Sequence, residues 1–390
     1  MITAFMDMVG LLMVIPLLPF YAVELGGTGM VVGVLVSSYS VAQLLSSPLW
    51  GRVSDRHGRR PALILGLFFS VAAYVIFSFA TSLWLLLLSR VVQGAGGGTV
   101  GVIQAYVADA SEPDQRARSL GWISAATNLG VAIGPVLGSI SVAWGREAPG
   151  LIAAGLCLVN IVFAWRFLRE SHDITVPRPV GSRERRSGEA LWGVVKHSRE
   201  PASRLIWIYA IAMGSFQAMT AILALFLAFR FNVTAETIGY FFMYIGAISV
   251  LTRAGILGPL VDRVGEARLS RLGIVLLSVG LATIPLTHSY VPLALAVALV
   301  PLGTAFTFPC LTSLLSRIID RHERGLYMGV QQTFGGVARV IGPLWAGWAY
   351  DHLGVGVPFW TAAVLVAATL LLGTGMEEYT REKETATQMA

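Results

Sequence analysis

The sequence predicts an all-α polytopic membrane protein, with twelve transmembrane helices arranged as two parallel-repeat six-helix bundles. Three observations carry that prediction. Apolar runs near 20 residues, long enough to cross a bilayer, recur along all 390 residues. Charged residues make up 13% of the chain and hydrophobic ones 55%, with a mean hydropathy of +0.70. That is about half the charge a water-facing surface carries. Finally, sparse identities recur at an offset of about 207 residues, between equivalent apolar runs.

Hydropathy and helix breakers place the spans at 4–23, 31–50, 61–80, 84–107, 119–143, 149–168, 205–229, 236–257, 271–288, 291–316, 326–349 and 356–376. The chain opens in an apolar stretch with no basic leader and no small-residue cleavage site, so Met1–Val23 reads as the first span rather than a signal peptide. Residues 1–168 form one expected bundle and 205–376 the other. A basic linker, 169–204, joins them, and 377–390 form a tail. Of 28 Lys and Arg, 22 fall on one side, in the loop Gly51–Arg60, at Arg116 and Arg118, in the linker, after spans 8 and 10, and in the tail; the other side holds Arg146 and Arg230. The positive-inside rule then makes both termini cytoplasmic in a bacterial inner membrane. The +6 net charge is absorbed by topology, and no nucleic-acid partner is expected.

The repeat pairs Gly51, Asp55, Arg56 and Gly58 with Gly258, Asp262, Arg263 and Gly265, and Arg116, Gly121, Gly134 and Pro135 with Arg324, Gly329, Gly342 and Pro343. An offset of six helices keeps both halves in the same orientation. Two cysteines, Cys157 and Cys310, both in apolar runs, build neither a disulfide framework nor a metal cluster. No Ser/His/Asp constellation or phosphate loop supports an enzyme. A monomer acting on a small-molecule substrate, without a cofactor, is expected.

The loop Gly51-Arg-Val-Ser-Asp55-Arg56-His-Gly58-Arg59-Arg60-Pro61 is too structured for a plain basic loop. Gly51 and Gly58 permit a tight turn and close approach. Asp55 and Arg59 are spaced to pair, and Asp109 at the end of span 4 is placed to join them. Such a cluster can clasp helices in one state and release them in another. The loop resembles the signature between helices 2 and 3 of the major facilitator superfamily. Leu86-Leu-Leu-Ser-Arg90-Val-Val-Gln93-Gly94-Ala-Gly96 resembles that family's helix-4 motif. Gly130-Val-Ala-Ile-Gly134-Pro135-Val-Leu-Gly138 resembles its helix-5 antiporter motif, and Asp7-Met-Val-Gly10 through Pro16 and Pro19 is similar to helix 1 of the drug:proton antiporters, tetracycline exporters in particular. The resemblance covers nearly the whole chain. It implies alternating-access export of small amphiphilic, drug-like compounds, energised by the proton gradient, with Arg90 taking part in proton transfer. A uniporter, symporter, or lipid or organic-anion transporter on the same fold is the alternative.

The residues themselves say more. Gly130, Gly134 and Gly138 line one helix face and invite a close neighbour, while Pro135 removes a backbone hydrogen bond and bends the span. Charges within a bilayer are functional hypotheses by default. Asp7 is the only acidic residue well inside a proposed span, and a carboxylate away from water favours its protonated form. It is the first choice for the proton-coupling site. A direct Asp7–Arg90 pair looks strained, and a water-mediated link is equally open. Arg339, deep in span 11, has no acidic partner of similar depth in its half. Carbonyl or water contacts, pairing across the halves, or an anionic substrate group are its alternatives. Arg253, near the end of span 8, is expected to snorkel. Gln43, Gln93, Asn128, Gln217, Gln331, Gln332 and Phe334 are candidates to line a central cavity. Where tetracycline exporters carry carboxylates in helices 3 and 9, this chain reads Ser70–Tyr74 and Leu276–Gly280, without acid. The balance of intramembrane charge argues for neutral or anionic cargo over cationic.

Overall fold

The computed structural model describes residues 1–112, 115–171, 182–320 and 322–373, with side chains left undescribed at 100, 116, 117 and 182–187. The tail 377–390 and linker residues 172–181 lie outside the described residues. Among the described residues there are helices and no strands. Nine helices among the described residues are long and apolar enough to cross a membrane.

The first helix, α1, runs Ile2–Glu24 and tightens to a 3₁₀ turn at Ile15–Leu17, where Pro16 and Pro19 withdraw amide donors. α2 spans Gly29–His57, two turns beyond the expected end at residue 50. Gly51 is therefore helical, with open space where a side chain would stand, and the turn is made by Gly58 alone, at φ +97°. This corrects the expectation that both glycines shape the loop. α3 (Arg59–Ser78) starts directly from that turn. The repeat reproduces the device: α10 (Ile238–Val264) ends at Gly265, φ +86°, from which α11 (Glu266–Leu286) starts.

Between these lie α4 (Leu83–Ala95), α5 (Thr99–Ala110), α6 (Arg116–Ser141), α7 (Ala148–Phe167), α8 (Ser182–Lys196) and α9 (Pro201–Phe231). Span 4, expected as one helix over 84–107, is two: three successive glycines, Gly96–Gly98, interrupt it. Glycine disfavours helix interiors by about 1 kcal/mol relative to alanine, and three in a row remove the incentive to continue. The linker contains α8 and the first turn of α9, which starts at a proline suited to that position. α12 (Tyr290–Ile318), α13 (Arg324–His352) and α14 (Val357–Leu372) complete the chain. Among the described residues, helix thus occupies each of the twelve expected positions, with two helices at span 4.

The chain divides into two compact units, Met1–Pro177 with Ala221–Val250, and Arg178–Thr220 with Leu251–Ala390. In the first, Ala4, Trp50, Leu63, Leu67, Ile103 and Ile161 form a buried apolar cluster. The glycines of α6 lie against the backbone of α1. A Cβ on Gly130 would stand 2.8 Å from the Phe5 carbonyl oxygen, one on Gly134 2.8 Å from that of Val9, and one on Gly138 would collide with Met13. On another face of α6, Ser139 Oγ donates to the Ala235 carbonyl and accepts from the Gly239 amide, both at 2.8 Å, and Gly246 rests on Ala132. In the second unit α11 and α12 cross at Gly273 and Gly303, beside a core of Leu269, Phe306 and Cys310. There Gly342 on α13 meets the backbone of Gly214 on α9, repeating the contact of Gly134 with α1.

Replacing Gly138 by Ala is expected to lower stability by about 1–3 kcal/mol through overpacking. Gly121→Ala, on the same helix but facing open space, is expected to be neutral or stabilising. Thermal unfolding in detergent compares the two, and equal melting temperatures would refute the assigned contact.

Candidate functional site

Asp7 sits in the second turn of α1 and is 6% exposed. Its Oδ2 accepts a 3.1 Å hydrogen bond from Thr99 Oγ1, and it forms no ion pair with any described residue. Thr99 is the first residue of α5, so the glycine break in span 4 is what delivers its hydroxyl to the carboxylate. Tyr74 on α3 closes over the same stretch of α1: a Cβ on Gly10 would lie 3.3 Å from its hydroxyl oxygen. One turn before Asp7, the Thr3 carbonyl accepts from Asn160 Nδ2 at 3.0 Å; Asn160 is fully buried and its Oδ1 has no partner.

Arg90 on α4 is 3% exposed. It donates through Nη1 to Gln93 Oε1 and stands 5.0 Å over the Tyr39 ring, with its Nε unpartnered. No carboxylate pairs with it among the described residues, so Asp7 and Arg90 do not form a direct salt bridge. Asp7 is held instead at the start of α5, nine residues along the chain from Arg90 and past the glycine break.

The break itself is supported from α2. Gln43 Nε2 donates to the Gly97 carbonyl at 3.0 Å and to the Tyr39 hydroxyl at 3.2 Å, Ser46 Oγ to the Gly94 carbonyl at 3.2 Å, and Trp50 Nε1 to the Ala95 carbonyl at 2.6 Å. Residues 43, 46 and 50 share one helical face. Gln43 and Gln93 are thus engaged by protein groups, whereas Asn128 and Gln217 are half-buried and without a hydrogen-bond partner among the described residues. In the second unit Gln331 is fully buried and accepts from Thr312 Oγ1 at 3.2 Å, Gln332 Nε2 reaches the Tyr209 hydroxyl at 3.4 Å, and Phe334 meets Trp207 edge-on at 5.1 Å. Arg339 is half-buried and has no partner among the described residues.

A second cluster gathers around the Gly58 turn. Arg59, 4% exposed, donates through Nη1 to Asp55 Oδ1 (2.7 Å) and Ser54 Oγ (2.9 Å), and through Nε to Asp109 Oδ2 (3.0 Å). Asp55, Arg59 and Asp109 therefore meet, while Arg56 points to solvent. Glu170, at the end of α7, accepts from the amides of Arg59 (2.8 Å) and Arg60 (3.1 Å). A carboxylate at a helix N-terminus satisfies two orphan donors and meets the positive end of the helix dipole. Sequence reasoning missed Glu170, Thr99, Tyr74 and Asn160. Each partners an element distant in the chain, and no local spacing announces it. Arg59→Met is expected to destabilise the chain by about 1–3 kcal/mol, because Asp109 and the more exposed Asp55 lose a charge-assisted partner. Arg56→Met is expected to change little, and melting temperatures of the two variants check the difference.

The family model described as Major Facilitator Superfamily matches residues 1–342 and 254–388. "Multidrug resistance protein 2" of Bacillus subtilis (strain 168) is 25% identical over 97% of this chain and 94% of its own. "Tetracycline resistance protein, class C" of Escherichia coli is 28% identical over 88% of this chain and 86% of its own. Among solved structures, the human organic anion transporter MFSD10 (TETRAN) superposes with a TM-score of 0.71 at 24% identity, covering 96% of this chain and 97% of that one. A POT family transporter in complex with 5-aminolevulinic acid superposes with a TM-score of 0.80 at 16% identity, covering 97% and 95%. These structures share the fold. With helix at each of the twelve expected positions, a repeated Gly58/Gly265 turn and a family match across its length, the chain is a multi-pass membrane protein that belongs to the major facilitator superfamily.

Proposed function

We propose that this chain is a proton-coupled antiporter that exports small amphiphilic compounds by alternating access. The observation that carries the reading is Asp7, the one acidic residue among the described residues more than a helical turn inside a span, held by a neutral hydroxyl rather than by a cation. A carboxylate paired with arginine would resist protonation. One that accepts a single hydroxyl bond can take up a proton without stranding a counter-charge. The names of the relatives, resistance proteins for multiple drugs and for tetracycline, support export of drug-like cargo. Lys/Arg placement supports a bacterial inner membrane with both termini cytoplasmic, which puts the Arg59 cluster at the cytoplasmic face as a gate. Asn128 and Gln217 offer free polar groups for cargo in the spans. The proton gradient supplies the energy, and no cofactor enters the scheme.

In everted vesicles, adding a transported drug is expected to collapse an imposed pH gradient, followed with a pH-sensitive dye. Substrate flux unaffected by an uncoupler would overturn proton coupling and favour a uniporter. Asp7→Asn is expected to abolish uphill transport while leaving substrate binding within about threefold of wild type, because the neutral side chain mimics the protonated acid. Uphill transport by that variant would remove Asp7 from the coupling role. Thr99→Val is expected to change the pH profile of transport, because it removes the one hydroxyl that bonds the Asp7 carboxylate. A superimposable pH profile would show that Thr99 only packs.

A further inference from the structure

The second unit carries buried donors that no described residue satisfies. In α10 the helix widens into a π-helical turn over Thr252–Ile256, a distortion that tends to persist where function needs it. Arg253 stands on that turn. Its Nε is buried without a partner, and its guanidinium makes no hydrogen bond or ion pair with any described residue. That turn packs against α12, and Tyr209 on α9, whose ring lies against Phe308 of α12, has its hydroxyl reached by Gln332 Nε2 at 3.4 Å. Beside Gln332, Gln331 is 0% exposed. Its Oε1 is taken by Thr312, and its Nε2 has no partner. The Tyr209 ring rests on Gly335 and against Phe308, with ring centroids 5.3 Å apart. Arg339 lies one helical turn past Gly335 and two past Gln332, on the same side of α13, again unpartnered.

Every loose group in this set is a donor or a cation. The acidic residues described in the unit, such as Asp262, Glu266, Asp320 and Asp351, stand at helix ends; Glu266 Oε1 accepts from Ser313 and Arg317, and its Oε2 is buried without a partner among the described residues. A desolvated guanidinium without a counter-charge is costly, and an unbonded buried amide adds to that cost. A single ligand class removes both penalties. We infer that the second unit binds an oxyanion, a carboxylate, sulfonate or phosphate carried on an apolar body, with Arg253 and Gln331 donating to the oxygens, Arg339 supplying the second positive charge, and Tyr209 and Phe308 as the aromatic wall. The inference rests on the transport reading above and names a substrate class for it. The oxyanion arrives either on a soluble amphiphile or on a lipid headgroup.

The test uses the purified full-length chain in a neutral detergent with no pH gradient, so its outcome is independent of proton coupling. Fluorescence anisotropy reports binding of two xanthene dyes, anionic fluorescein and cationic rhodamine 123. Fluorescein is expected to bind saturably, displaced by 2-naphthoate but not by its methyl ester. Arg253→Gln and Arg339→Gln are expected to weaken it by about tenfold or more, with Arg253→Lys intermediate, since lysine keeps the charge but not the planar fork. Fluorescein affinity unchanged in both glutamine variants, or equal displacement by ester and acid, overturns the site. The acid–ester comparison on the wild-type chain decides the matter even where a variant does not fold. In nanodiscs, competition by phosphatidylglycerol that disappears in Arg253→Gln identifies a lipid headgroup as the source. Fluorescein affinity equal in phosphatidylglycerol and phosphatidylcholine discs identifies a soluble amphiphile. Loss of drug-induced gradient collapse with intact fluorescein binding would sink the antiport reading and leave this one standing.

Discussion

Inside a bilayer a backbone carbonyl has no water to turn to, so an interrupted span must find its hydrogen-bond partners within the protein. The break at Gly96–Gly98 meets that demand through one face of α2, where Gln43, Ser46 and Trp50 take up the carbonyls of Gly97, Gly94 and Ala95. Much of the first unit's polar chemistry follows from this arrangement. The break separates α4 from α5, keeps Arg90 with Gln93 and Tyr39, and gives Asp7 the Thr99 hydroxyl instead of a guanidinium. Discontinuous helices recur at the binding and coupling sites of transporters for the same reason, since the ends they expose can hold a charge that a continuous helix would not.

Close backbone contact is the second organising feature. Lipid gives helices little hydrophobic incentive to associate, so van der Waals fit has to hold them, and fit is best where side chains are absent. The glycine face of α6 meets α1 at Phe5, Val9 and Met13, along the helix that carries Asp7, while Ser139 ties the same α6 to Ala235 and Gly239. The helix-5 motif thus has two partners, and the Asp7 carboxylate lies on one of them. The corresponding contact in the second unit, Gly342 on Gly214, shows that the repeat preserves a packing device as well as a turn.

The two units differ in what they do with charge. In the first, Arg59 bonds to Asp55 and Asp109, Arg90 to a glutamine over an aromatic face, and Asp7 to a hydroxyl, while Arg90 Nε and Asn160 Oδ1 have no partner among the described residues. Among the described residues the second leaves Arg253 and the half-buried Arg339 without partners and Gln331 half-satisfied. A desolvated donor such as Arg253 Nε is stable only where water or a ligand completes it. Arg253, expected to snorkel from the end of span 8, stands on the π-helical turn with its Nε buried and without a partner among the described residues.

The sequence by itself determined the class of fold, the number and places of the spans and the repeat, because these follow from hydropathy length and from Gly and Pro at fixed positions, all local properties. It also singled out Asp7, Arg90 and Arg339, because an ionisable residue in an apolar run stands out without any neighbour being known. What tertiary structure decided was partnership. Nothing near Asp7 in the chain points to Thr99, nothing near Gly58 points to Glu170 over a hundred residues on, and Gln43, a plausible cavity residue from its polarity, turned out to serve a broken backbone. A span's apolar pattern records which residues avoid water, but hydrogen bonds among the few that remain polar are set by which helices cross and at what height, and that geometry exists only once the chain is folded.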